Sequence, residues 1–261
     1  MTAFRRLWKL AAQALAALSL LQGCAAAGRI PPAFEQALGP VLPAPVEGAF
    51  PAALLEAPRI SQLLLYEGGS DAPPSRVLLD VGLNEARDEL RLEQRDAAGA
   101  LLQLEEYVRA PAGWALARST TPGRSVLTAY EPPMLQFPDA LAPNAAVESS
   151  VHVVVHPLQD PSRVQQRGKA SNRVELAGRQ TVRTGQGQTV LADVVRLTFT
   201  GAFGVARVRR VTELWLAPHV GVVALRVRER VTALGAPISA LDQALLLDRQ
   251  LEASPTVSTS R

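Results

Sequence analysis

Period-two alternation of apolar and polar residues dominates the chain from about residue 60 onward. Ser61–Glu67 and Arg76–Leu83 are rich in Leu and Val and flank the breaker Gly68-Gly69-Ser70-Asp71-Ala72-Pro73-Pro74, which predicts two strands. In Glu89–Gln94, Leu90, Leu92 and Gln94 fall on one face, with Glu89, Arg91 and Glu93 on the other. After the turn Arg95–Gly99, Ala100–Arg109 returns with Leu102, Leu104 and Val108 on one face, a hairpin pattern. Gly113–Arg118 and Ser125–Tyr130 pair around Thr121-Pro122-Gly123. The proline-rich Glu131–Asn144 reads as a long connection, joining two halves of one sheet or two subdomains. Val147–His156, Arg163–Leu176, Val190–Thr200, Val205–Leu216 and Val222–Val231 then continue the series of strands. In the last, Val223, Leu225, Val227 and Val231 oppose Ala224, Arg226, Arg228 and Arg230. Covered parallel strands read as unbroken apolar runs, so this alternation points to an antiparallel sheet with one solvated face. One helix is expected. Ser239, with Asp242 three residues on, precedes Leu241, Ala244, Leu245 and Leu251 at helical spacing. The predicted fold is mainly β: an antiparallel domain over residues 59–253, built as a curved sheet or half-barrel with a C-terminal helix. Residues 254–261 are small and polar, a frayed tail.

Residues 24–58 have a different texture. Seven prolines, at 31, 32, 40, 43, 45, 51 and 58, remove backbone donors and disfavour helix in the residues before them. That predicts a Pro/Ala-rich tether. The alternative is a strap packed on the domain through Phe34, Leu38, Val41, Leu42, Phe50, Leu54 and Leu55.

Further upstream, Arg5, Arg6 and Lys9 precede an apolar run, Leu10 to Leu21, broken only by Gln13 and Ser19. This order is that of a secretory signal. The run is about 12 residues, short of the roughly 20 that span a bilayer. It ends in Leu21-Gln22-Gly23-Cys24, which resembles the bacterial lipobox of Leu, a small residue, Gly or Ala, then Cys; Gln22 departs at the small position. The resemblance implies that residues 1–23 are a cleaved signal peptide, that Cys24 carries a diacylglyceryl thioether, and that its new amino group is acylated. Each buried methylene contributes about 0.8 kcal/mol, so two or three chains hold a protein at a membrane almost permanently. By enterobacterial sorting rules, Ala25 where Asp would signal retention favours the periplasmic face of the outer membrane over the inner membrane.

Cleavage changes the charge balance. The chain has 27 Lys plus Arg and 24 Asp plus Glu, and the three cations of the leader account for the excess. The mature chain is neutral, so the basic pI of the full sequence is no sign of nucleic-acid binding. Cys24 is the only cysteine, and its acylation leaves no thiol for disulfides or nucleophilic catalysis.

Candidate chemistry is sparse. His152 and His156 lie in a β-branched run where four residues span about 13 Å, so they cannot share one ion. His219 falls in a turn. No Gly-x-Ser-x-Gly elbow, phosphate loop or His-Glu-x-x-His motif occurs. Glu105, Glu106, Asp242 and Asp248 sit in patterns read as solvent-facing. No metal, no cofactor and no enzymatic activity are therefore expected. The one distinctive feature is arginine: Arg196, Arg226, Arg228 and Arg230 form a candidate anion-binding face suited to lipid headgroups or anionic glycans. The alternative is a solvated face whose arginines pair with Glu213, Glu229 and Asp193.

Thr189–Val223 carries Thr-Val-Leu-Ala-Asp-Val-Val-Arg-Leu, then Glu-Leu-Trp-Leu-Ala-Pro-His-Val-Gly-Val-Val. This order resembles a pattern of uncharacterised secreted bacterial proteins, in which a Gly stands where this chain has His219. The resemblance implies an antiparallel β domain, common among lipoproteins and periplasmic proteins, and brings no catalytic residues. The expected function is a membrane-anchored envelope lipoprotein that binds a protein partner or an amphiphilic ligand. The alternatives are a structural or assembly component, and a hydrolase with an unrecognised site.

Overall fold

The computed structural model describes residues 30–56, 59–70 and 72–251. The predicted signal peptide, Cys24 and the tail 254–261 lie outside them. A short helix α1 (Pro32–Ala37) leads into strand β1 (Leu38–Leu42), followed by a second short helix α2 (Pro51–Leu55). Twelve strands follow: β2 (Arg59–Glu67), β3 (Ser75–Leu83), β4 (Glu89–Asp96), β5 (Leu101–Ala110), β6 (Gly113–Thr121), β7 (Val126–Pro138), β8 (Ala146–Pro157), β9 (Gln166–Arg183), β10 (Thr189–Phe203), β11 (Ala206–Ala217), β12 (Gly221–Ala233) and β13 (Ala236–Leu251). Each pairs antiparallel with the next, and β13 pairs back onto β2 through Leu245↔Leu65 and Leu247↔Leu63. The sheet therefore closes into a twelve-stranded up-and-down barrel.

This corrects the expected curved sheet or half-barrel. A half-barrel has two free edges, whereas here β2 and β13 satisfy each other's backbone donors and acceptors. The expected C-terminal helix is strand β13. Its apolar run arises because both faces are covered: Leu245 and Leu247 pack inward, and Ala244 and Leu246 are buried on the outside. A bulge between Leu247 and Arg249 adds to the break in period two. Nor does Glu131–Asn144 divide the domain, because β7 runs through it to Pro138 along β6. Its pairing with β8 stops at Glu131↔His152, so the missing donors of Pro132 and Pro133 cost no ladder bond on that side.

Residues 30–56 pack as the strap of the two N-terminal alternatives. Prolines that break other structures open both helices here, since Pro32 and Pro51 stand at first-turn positions where the donor has no partner anyway. Phe34 is fully buried between Tyr66 and Trp215, 6.0 Å from each ring centroid and edge-on to the indole. β1 pairs with β9 at Val182, Gln180 and Arg179, on the edge that β8 vacates beyond Glu175. β9 changes partner at Gly178, where φ is +135° and a Cβ would stand 2.6 Å from the Leu42 carbonyl oxygen. Gln180 locks the join: it donates to Gly39 O at 2.6 Å and accepts from Trp215 Nε1 at 2.8 Å. Helix α2 then touches β7 on one side and β11 and β12 on the other, which places it across one mouth of the barrel. Arg109 pairs with Glu56 (3.7 Å) and Asp139 (2.8 Å) beside this cap.

Inward and outward faces follow from contacts across the ring. Arg210 on β11 interacts with Tyr130 on β7 and Glu105 on β5, strands four and six places away in the sheet. Only the interior brings them together. Alternation from these residues puts Leu63, Leu90, Val174, Val195 and Leu214 inside, all nearly fully buried. The outward rows are charged. Arg91, Glu106 and Arg118 form one ion-paired row; Glu175, Arg196, Glu213, Arg228 and Arg226 form another. A membrane-spanning barrel presents an apolar belt outward, the opposite arrangement. No helix among the described residues is long and apolar enough to cross a membrane.

Candidate functional site

The two ends of the barrel differ. At the end covered by α2, interior positions such as Leu63, Leu216, Val223 and Leu247 are buried. Toward the other end, the interior side chains of Val126, Thr128, Tyr130, Val155, Phe199, Thr212 and Val227 stay partly exposed although the wall closes around them. Solvent thus enters the lumen from the uncapped mouth and stops at the row Leu214–Leu225–Leu245–Leu65. The interior is neither a filled core nor an open tube; it is a cup with an apolar floor.

A polar cluster lines this cup. Arg210 Nε donates to Glu229 Oε2 at 2.8 Å, and the two face each other across the β11–β12 ladder. Arg124, on the 3-10 turn Pro122–Arg124 between β6 and β7, approaches the second carboxylate oxygen at 3.9 Å. Glu229 keeps only 4 % of its side-chain surface exposed, whereas Arg210 keeps 40 % despite protein on all sides. That combination marks Arg210 as a residue lining a wet cavity. On the opposite wall, Tyr107 donates to Glu105 Oε2 at 2.6 Å, and Gln103 Nε2 donates to Oε1 at 2.7 Å. Gln136 Oε1 lies 3.1 Å from the Tyr107 hydroxyl.

The electrostatics follow from burial and partners. Burial works against ionisation of Glu229, yet Arg210 and Arg124 outweigh it and hold its carboxyl below the ordinary value. Arg210 is held more firmly protonated, chiefly by Glu229. Burial raises the Glu105 carboxyl, against the hydrogen bonds it accepts. Burial also pushes the Tyr130 hydroxyl up to about 12. The cluster offers two guanidinium groups, one shared carboxylate, and a second carboxyl that resists ionisation. It can take an anionic or strongly polar group in the mouth above an apolar floor.

The arginines singled out from sequence are elsewhere, on the outer wall. Arg196 pairs with Glu213 (3.0 Å) and Glu175 (3.3 Å), Arg226 with Asp242 (2.8 Å) and Glu35 (2.7 Å), and Arg228 with Glu213 (2.9 Å). Arg230 is exposed and makes no ion pair among the described residues. His152 and His156 sit on the outer face of β8, with His156 Nδ1 3.0 Å from Arg163 O. His219 adopts φ of 62° in the β11–β12 turn, which accounts for glycine at this place in the resembling pattern. Glu105 is not solvent-facing as its sequence pattern suggests; Leu102, Leu104 and Val108 point outward and Gln103, Glu105 and Tyr107 inward. The signal was legible on β12, where parity places Glu229 in the apolar set Val223, Leu225, Val227 and Val231. A separate polar cleft of about 310 Å³ lies near the capped end, between Thr184, Gln188, Val220 and Asp248.

The fold and site define a class: an up-and-down barrel with charged outer walls, one plugged end and one wet, mixed-polarity cup. No protein family and no curated protein matches the chain by sequence. Among solved structures, it is similar to a protein classed as a lipoprotein from Parabacteroides distasonis, with TM-score 0.44 and 11 % identity over 79 % of this chain and 100 % of that one. It is also similar to an exported protein with YmcC-like fold from Bacteroides fragilis, with TM-score 0.36, 13 % identity and coverage of 81 % and 99 %. The hypothetical lipoprotein YmcC from Escherichia coli gives TM-score 0.37, 12 % identity and coverage of 75 % and 89 %.

Proposed function

We propose that the protein is a lipid-anchored envelope lipoprotein that binds a small amphiphile in the open cup of its barrel, without catalysis. The anchoring half of this reading rests on the leader and the lipobox-like Leu21-Gln22-Gly23-Cys24. If Cys24 carries the anchor, the six residues from it to Ile30 reach at most about 21 Å. The barrel then stays close to the membrane surface rather than at the end of a long stalk.

The binding half rests on one observation: solvent-reached interior side chains between a polar mouth and an apolar floor. An amphiphile would set its apolar end against Leu214, Leu225, Leu245 and Leu65. Its polar end would meet Arg124 and the exposed edge of Arg210. Native mass spectrometry of protein purified from its own envelope should show a bound amphiphile. Titration with the anionic amphiphile 1-anilinonaphthalene-8-sulfonate should give saturable binding that Arg124→Gln weakens about tenfold, the value of one charge-assisted hydrogen bond. No co-purifying ligand, together with equal dye binding by the variant, would refute the cup as a ligand site.

A further inference from the structure

We propose that the sector of the open mouth built by the β8–β9, β10–β11 and β12–β13 turns docks onto an anionic phospholipid bilayer. Because successive strands alternate in direction, these three turns share the uncapped end, and the ladder makes them neighbours: Ala206 pairs with both Phe203 and Ala233. Each turn carries an exposed apolar residue. Leu234 is 86 % exposed, Val205 48 % and Val164 39 %. Two of the turns are two-residue hairpin loops, Gly204-Val205 and Leu234-Gly235; the first has its glycine at the positive-φ position and leaves the second position open to most residues, whereas both positions of the second favour Asn, Asp or Gly. Leu234 even holds a left-handed φ of 51°. Burial inside the fold explains none of these side chains.

Immediately behind the tips, on the outer face, stand Arg167, Lys169, Arg207, Arg209 and Arg230, all exposed. Among the described residues none of the five makes an ion pair, whereas the arginines one row further from the mouth are paired with carboxylates. Arg209 and Arg230 are direct cross-strand partners, and like charges in that position destabilise a sheet. Their row continues through Thr200, Ser171 and Ala240, with no carboxylate in it. Asp242, diagonal to Arg230, is taken up by Arg226; Glu131 is separated from Lys169 by His152; and Asp160, in the β8–β9 turn, is bonded to Ser162.

Apolar tips on convex turns with a cationic collar behind them match the two layers of a membrane surface: acyl chains inside, anionic headgroups outside. An anionic glycan would satisfy the collar and leave the tips in water. Docking would set the open cup against the lipids. It does not require the cup to hold a ligand, and it uses none of the residues in the cup.

The test uses the chain without its leader and Cys24, so that no acyl anchor contributes. Among the described residues every strand pairing lies within 38–251, so this removes none of those strands. The protein should pellet with vesicles of equal parts phosphatidylethanolamine and phosphatidylglycerol, should not pellet with phosphatidylethanolamine alone, and should be released by salt. Leu234→Asp with Val205→Asp should abolish pelleting. Arg209→Gln with Arg230→Gln should weaken it roughly 25-fold, about fivefold for each cation at an anionic surface. The arginine variants relieve a like-charge pair and should fold at least as well as the wild type, which keeps the test open if the aspartates disturb folding. No binding to the anionic vesicles, or undiminished binding by both double variants, would overturn the proposal. So would binding to a soluble anionic polysaccharide that the aspartate variant retains.

Discussion

Phe34→Ala is the sharpest test of how the N-terminal segment takes part in the fold. The ring is completely buried, with Tyr66 and Trp215 each 6.0 Å away. Its site is bounded by β1, held to β9 by the ladder and by Gln180, and by the rigid barrel wall beneath, so the surroundings can collapse little into the vacancy. Phe-to-Ala changes at such sites cost about 3–5 kcal/mol, and poor relaxation puts this one in the upper half of that range. Domain stabilities are about 5–15 kcal/mol, so the variant would lose a large share of the total. At about 2–4 °C per kcal/mol for a chain of this size, the thermal midpoint should fall by roughly 10 °C or more. Urea unfolding of wild type and variant, with the slope checked for constancy, gives the free energy directly. Glu35→Ala provides the control on the same helix. Its ion pair with Arg226 leaves 43 % of the glutamate side chain exposed, and such pairs contribute about 0–1 kcal/mol. A cost for Phe34→Ala below about 1 kcal/mol would show that residues 30–56 hang from the barrel as a tether.

The cup makes further predictions. Glu229 titrates lower in the folded state than unfolded, so its contribution is complete above the unfolded carboxylate range and is lost as pH falls through the folded value. Glu229→Gln should cost about 2–3 kcal/mol at pH 7, less than a dry pair because water reaches Arg210, and should flatten the acid side of the stability curve. Parallel urea midpoints against pH for the two proteins would refute this. Glu105 has the opposite sign: its raised value means that a burial penalty grows as pH rises from the unfolded carboxylate range through the folded value. Glu105→Gln should therefore be neutral or stabilising at neutral pH, with the gain vanishing in acid; a loss at pH 7 would contradict the assignment. Leu234→Asn should stabilise the barrel by about 0.5–1 kcal/mol, because asparagine tolerates the left-handed turn, while it reduces pelleting with anionic vesicles. A stabilised variant that pellets like the wild type would remove Leu234 from the docking face.

Much of the wall was legible as alternation, and the parts that were not have physical causes. Val147–His156 and Val222–Val231 each have one solvated face, so period two survives and the strands are visible. β13 loses the pattern at Ala244–Leu247 because α1 and its neighbours bury the outer face that would otherwise be polar. The leucines and the Ser239/Asp242 spacing then imitate a capped helix. Closure was not legible, since Leu65 and Leu245 look the same whether they pair with each other or end two free edges. The cup hid for a related reason. On β5 the apolar set Leu102, Leu104 and Val108 was the natural choice for the core face, and a wet interior inverts that logic by turning Gln103, Glu105 and Tyr107 inward. Arg196, Arg226 and Arg228 stood out by spacing; the alternative of a paired face named Glu213 correctly, but strand register, which spacing does not reveal, was needed to find Glu175 and Asp242.

The open mouth contains its own control for the origin of the apolar tips. The β4–β5 turn lies at the same end and must also reverse the chain within a few residues. It does so with ordinary turn chemistry: Asp96 Oδ1 accepts from the backbone amides of Ala98 and Ala100, and Gly99 takes φ of 85°. Nothing about closing a hairpin at this end therefore calls for leucine or valine. The β10–β11 and β12–β13 turns nevertheless place Val205 and Leu234 there, the latter in a conformation that leucine resists. The same two hairpins carry Arg207, Arg209 and Arg230 without carboxylates, while the row behind them is neutralised throughout. A fold optimised only for its own stability would have exchanged both features, at gains of about 0.5–1 kcal/mol each. Their coincidence in one sector, next to the solvent-reached interior of the barrel, ties them to what the mouth meets rather than to how the barrel closes.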